Sequence, residues 1–100
     1  VTASQPKNGS TVKERIPEIS VSFDKIVMQK DIVASLKENE TNSFVDMQII
    51  LSNSYQAIFK PSKALKNFNS YTFTLSKETT DFNGNKMLED LVINFMVTGN

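Results

Sequence analysis

Along Ser70–Ser76, Tyr71, Phe73 and Leu75 alternate with Thr72, Thr74 and Ser76. That period of two belongs to an extended strand with one buried and one wet face. Leu91–Thr98 repeats it, placing Leu91, Ile93, Phe95 and Val97 on one side. Between the two lies Asp81-Phe-Asn-Gly-Asn85, in which Asn83-Gly84 is expected to supply the positive φ angles of a tight reversal. This pair predicts the spine of an all-β domain.

Other segments carry the same signature. Val1–Ser4 reads as a short first strand, ended by the corner Gln5-Pro-Lys-Asn-Gly-Ser10, and Thr11-Val12 resumes as an edge strand. Glu18–Asp24 alternates Ile19, Val21 and Phe23 with polar residues, and Ile32–Lys37 turns Ile32, Ala34 and Leu36 inward. Met28–Asp31 suits one helical turn, and Glu38–Ser43 reads as a polar loop. Val45, Met47, Ile49 and Leu51 share a parity that Ile50 interrupts on the polar side. Ser52-Asn53-Ser54 then turns into Tyr55–Lys60, with Ala57 and Phe59 facing in. Pro61, lacking an N–H, is expected to end that pairing, and Leu65 to plug the core from a crossing segment. Some seven short strands with turn signals every ten residues or so predict a β-sandwich.

Composition narrows the function. Eleven Lys and Arg balance eleven Asp and Glu, so no long-range field draws the chain to nucleic acid or an anionic membrane. There is no Cys, which removes disulfides and thiolate chemistry, and no His, which removes Ser-His-Asp catalysis and imidazole metal sites. Lack of Cys suits a cytosolic protein and equally an exported bacterial one. No apolar run is long enough to span a bilayer. At 100 residues the chain is expected to be one domain, residues 1–100. Its opening almost directly on the strand-like Val1–Ser4 suggests a piece cut from a longer polypeptide, so a missing leader decides little.

Several motifs, taken in order, resemble the bacterial immunoglobulin-like module of S-layer and other surface or secreted proteins. Pro6-Lys-Asn-Gly9 is similar to that family's opening corner, and Ile19-x-Val21-x-Phe23 to its strand ending in Phe and a polar residue. Phe59-x-Pro61 with Leu65 resembles its crossing, Tyr71-Thr72 the start of its penultimate strand, and Asp81-x-x-Gly84-Asn85 its turn. Phe95 with Thr98 resembles the closing strand, although the family's usual spacing is one residue shorter. Lys37–Val45 departs most from the pattern. The resemblance implies an immunoglobulin-like sandwich of about seven antiparallel strands that serves, without catalysis, as a spacer, scaffold or adhesive module of an extracellular or cell-surface bacterial protein, exported by a signal outside these residues.

Few residues carry candidate chemistry. Asp81, Asn83 and Asn85 place oxygen donors at alternate positions near Glu89 and Asp90, the donor type that Ca²⁺ takes. Val92 stands where an EF-hand needs its bidentate Glu, so the loop is not of that type. The competing reading is an Asx-turn made by Asp81, with Gly84-Asn85 supplying left-handed conformations. Tyr71 is expected to bond back to nearby backbone, as a corner tyrosine does. Asn94 is the one Asn suggestive of a Lys–Asn isopeptide link, which would need a buried Lys. Asn8-Gly-Ser10 and Asn39-Glu-Thr41 match the glycosylation pattern by chance and are given no role. Tyr55, Phe44, Phe68 and Phe82 fall outside the inward sets; they are expected to anchor the core or loops, the alternative being a glycan or protein contact on a wet face.

No catalytic or cofactor-binding residue is expected, and calcium is the only cofactor with candidate ligands. The partners expected are neighbouring domains of the same polypeptide, then a surface glycan or protein, with no nucleic acid and no membrane insertion. The alternative function is a binding domain for glycan, host protein or calcium through its loops.

Overall fold

In the computed structural model, which describes residues 3–53 and 55–98, two sheets face each other over one apolar core. The described strands are β1 (Ala3–Gln5), β2 (Ser10–Val12), β3 (Ile19–Ser22), β4 (Ala34–Glu38), β5 (Ser43–Val45), β6 (Met47–Asn53), β7 (Gln56–Pro61), β8 (Ser70–Leu75) and β9 (Leu91–Val97). One sheet runs β1-β3-β7-β6 and the other β2-β9-β8-β4-β5. The expected sandwich is present. Every pair is antiparallel except β2 with β9, which run parallel with Ser10 beside Phe95.

The strand count exceeds seven because the chain changes sheet within two extended stretches. β1 and β2 flank a corner at Pro6–Gly9, where Gly9 takes φ 83° and its N–H donates to the Asn94 carbonyl at 2.6 Å. β5 and β6 form one run of constant parity broken at Asp46, so Val45 pairs in one sheet and Met47 in the other. Val1, Thr2 and Ser54, which belong to the expected first strand and the hairpin turn, lie outside the described residues. The Met28–Asp31 turn appears as a 3-10 turn over Gln29–Asp31.

Period-two patterning explains the core. Ile19, Val21, Leu36, Ala57, Phe59, Tyr71, Phe73, Leu75, Ile93, Phe95 and Val97 all face in and are buried, and Leu65 closes one end. Phe59 and Phe73 meet across the sheets with centroids 4.8 Å apart and tilted by 56°, a favoured aromatic geometry. Tyr71 stacks on Phe95, and its Oη accepts the Lys66 N–H at 2.9 Å, which fulfils the expected corner bond.

Pro61 does not stop the pairing short of itself. It is the last residue of β7, opposite Met47. The Ser62 N–H donates to the Asp46 carbonyl, which makes Asp46 and Ser62 a hydrogen-bonded pair, and such pairs alternate along an antiparallel ladder. Gln48–Lys60 and Ile50–Ile58 are then bonded pairs, whereas Met47–Pro61 is not. A proline N at that place faces away from β6, so its missing hydrogen costs the ladder nothing.

Candidate functional site

The long dimension, 42 Å against 23 and 21 Å, lies along the strands, because four or five strands at about 4.8 Å spacing fill only the shorter widths. Ala3 pairs with Ser22 at one end, here the entry end. Thr98 donates its N–H to Val12 at the opposite, exit end. Three connections meet at the entry end: the β3–β4 loop, the β6–β7 turn and the β8–β9 loop. The Phe82 N–H donates to Ile26, Phe23 to Tyr55, and Ser76 to Val33.

Asp81, Asn83 and Asn85 lie in this cluster, but not in a two-residue hairpin. Residues 76–90 form one long connection from β8 to β9, and the turn is a sub-loop closed by a bridge between Thr80 and Lys86. Only Gly84 takes a positive φ, 83°; Asn83 and Asn85 do not, contrary to expectation. The Asp81 Oδ1 accepts the N–H groups of Asn83 and Asn85, both at 2.9 Å, and its Oδ2 accepts the Asn85 amide at 3.3 Å. The Asn85 N–H above all holds this carboxyl below its ordinary value, with the Asn85 side chain, the Asn83 N–H and Lys25 adding to it. The carboxylate oxygens thus serve the Asx-turn. Among the described residues, no three Asp, Glu, His or Cys side chains converge as metal ligands.

Beside the turn is an open groove of about 580 Å³ whose wall includes Asp24, Lys25, Asp81, Lys86, Glu89 and Asp90. Two of these charged side chains are engaged within the loop itself. Lys86 Nζ lies 2.7 Å from Glu78, and Asp90 accepts the Lys77 N–H at 2.7 Å. Thr79, buried at the base, accepts the Val33 N–H at 2.9 Å and donates to the Val33 carbonyl at 3.3 Å. These groups brace loops, and the groove pairs no hydroxyl nucleophile with a base.

The exit end holds a carboxylate that sequence reading placed in a loop. Glu38 is the last residue of β4, paired with Tyr71 and buried. Its parity continues Ile32, Ala34 and Leu36, and that continuation was the available signal. Thr41 donates to its Oε2 at 2.9 Å, Asn69 to its Oε1 at 2.7 Å, and Lys66 Nζ lies 3.5 Å away with most of its side chain in water. The Thr41 hydroxyl first, then the Asn69 amide, hold the Glu38 carboxyl below its ordinary value of 4.5, with a smaller pull from Lys66. A folded-state value below the unfolded one means that the unfolded chain takes up the proton more readily. The resulting stability is present above 4.5 and lost as pH falls below it. Urea midpoints measured from about pH 7 to pH 3 are expected to drop on the acid side, and less steeply in Glu38→Gln. Identical slopes would remove Glu38 from this role.

The remaining candidates do not assemble into a platform. Phe44 (72% exposed) and Phe68 (73%) belong to the exit end, Phe82 (65%) and Tyr55 (50%) to the entry end, so they neither share a wet face nor anchor in the core. Asn94 is exposed and tied to Asn8 and Thr72. No lysine among the described residues is buried, so Asn94 has no isopeptide partner of the kind required. Asn94 instead fastens the Pro6–Gly9 corner to β9.

Residues 1–97 match the family described as "Bacterial Ig-like domain". The chain belongs to that family. This Ig-like domain shares its fold with PcoC, a copper resistance protein from Escherichia coli, at TM-score 0.78 and 16% identity over 97% of both chains. It also resembles L,D-transpeptidase 3 from Mycobacterium tuberculosis, at TM-score 0.64 and 10% identity, where 98% of the Ig-like domain covers 37% of that chain. Both likenesses are of fold. No curated protein sequence matches the chain.

Proposed function

We propose that this Ig-like domain is a non-catalytic structural or adhesive module, a spacer within a surface or secreted bacterial protein, those of S-layers among them. The supporting observation is that the backbone enters beside Ser22 and leaves beside Val12, at opposite ends of a 42 Å body. A domain threaded in this way sets its neighbours apart by its full length. Membership of a family typical of surface and exported proteins favours the same reading.

Copper, named in the description of PcoC, is not carried over. Copper sites are built from imidazole, thiolate and thioether ligands. Here His and Cys are lacking, and the four methionines are dispersed. Met28 and Met87 sit in loops at the entry end, whereas Met47 points inward and Met96 outward on different sheets. The Asp81–Asn85 turn is assigned a structural role, so millimolar Ca²⁺ is expected to leave the melting temperature unchanged. A rise on adding Ca²⁺ would signal binding to the folded state.

Solution scattering tests the spacer. Two copies joined end to end are expected to be longer than one copy by about the 42 Å of the long axis. An increase no larger than the 23 Å width would mean that the copies fold side by side, and the spacer reading would fail.

A further inference from the structure

We propose that β6 is a homophilic docking edge, on which a second copy of this chain adds its own β6 antiparallel across a two-fold axis. This goes beyond the spacer reading and does not depend on it.

The edge is open and its hydrogen-bonding phase is defined. Among the described residues, β6 is the outermost strand of its sheet and pairs only with β7. Since Gln48 and Ile50 spend their N–H and C=O groups on β7, those of Met47, Ile49 and Leu51 point away from the sheet. A register shift between Leu51 and Asn53 ends the regular ladder. The usable edge is therefore Met47–Leu51. Natural edge strands are commonly guarded by charge or proline; β6 has neither along Met47–Asn53.

Geometry selects the occupant. Outward-facing backbone groups recur at odd residues only, so a second β6 must match odd to odd. Centring the pair on Ile49 uses all of them: Met47 meets Leu51, Ile49 meets Ile49, and each pair exchanges two bonds. The side chains of these three residues point inward, half-buried at the open margin of the core, so the same register lays apolar against apolar there. On the outer face Ile50 meets Gln48.

Charge agrees with this register. Asp46 precedes β6 and falls opposite Ser52 of the second copy. Lys30 lines the groove at the Leu51–Asn53 end of β6, the end of the strand that Asp46 of the second copy reaches. Both charges are exposed, and the two-fold axis makes the contact twice. With a net charge of zero, the copies do not repel at long range.

Sedimentation of the intact chain, with amide exchange read at low and high concentration, tests the proposal. One strand pairing is a small interface, so dissociation on the order of 100 µM is expected. The Met47, Ile49 and Leu51 amides should exchange freely in dilute protein and slow as dimer forms, while Gln48 and Ile50 stay protected throughout. Ile50→Lys, on the exposed outer face, is expected to weaken dimerisation about tenfold or more while leaving the melt nearly unchanged. Asp46→Lys and Lys30→Asp should each weaken self-association about tenfold, and an equimolar mixture of the two should restore it. A monomer at millimolar concentration overturns the proposal. So does a dimer indifferent to Ile50→Lys and to the charge swap, because that dimer uses another face.

Discussion

Phe73→Ala is expected to destabilise the domain by about 3–5 kcal/mol, a large share of the 5–15 kcal/mol typical of a single domain. The size follows from position. Phe73 is fully buried at the middle of β8, flanked by Leu36 on β4 and Ile93 on β9, with Phe59 of the facing sheet against its ring. Truncation loses the transfer energy of the ring and leaves a cavity walled by two hydrogen-bonded sheets that cannot collapse into it. For a chain of this length about 1 kcal/mol moves Tm by roughly 4–8 °C, so a fall of at least about 12 °C is expected. Val92→Ala is the control. Val92 lies on the outer face of β9 opposite Thr74, and its loss is expected to cost about 0.5 kcal/mol or less. Equal shifts for the two variants would deny that Phe73 joins the sheets.

Legibility in the sequence tracked how local each determinant is. Alternation at Phe73 or Phe95 is written within a few residues, so the strands and inward faces could be read directly. The parity of Val45, Met47, Ile49 and Leu51 was right, yet the change of sheet at Asp46 was not readable, because both halves keep the same period. Parallel pairing of β2 with β9 joins residues 85 positions apart, Ser10 to Phe95, and leaves no mark on either. Charge suggests a loop for Glu38, whereas its place in the Ile32-Ala34-Leu36 series points it inward. Its partners Thr41 and Asn69 emerge only once β4 and the loop before β8 meet. Residue type marks the Asp81 turn, but Asn83-Gly84 alone does not make the reversal, because the bridge from Thr80 to Lys86 that isolates it is a tertiary feature.

Thr79 is the plainest case of a residue that matters through a contact no local pattern announces. Its hydroxyl both accepts from and donates to Val33, 46 residues away, and so ties the β8–β9 loop to the strand entering β4. Thr79→Val keeps the shape and removes both bonds. The Val33 carbonyl retains the Ser76 N–H at 2.7 Å, so the loss falls on the Val33 N–H, part-buried and left without an acceptor. A buried orphan costs about 1–3 kcal/mol, but Val33 is half exposed, so the lower end, about 1 kcal/mol, and a fall in Tm of roughly 4–8 °C are expected. Thr79→Ser separates hydroxyl from methyl. Retaining the hydrogen bonds while losing one methyl, it should melt above Thr79→Val if the bonds dominate, and below it if packing does. Amide exchange at Val33 supplies a second readout, accelerated in the valine variant and near wild type in the serine one. If serine destabilises more than valine and Val33 exchanges alike in both, the loop is held by apolar contact, and the hydroxyl is incidental to the entry end.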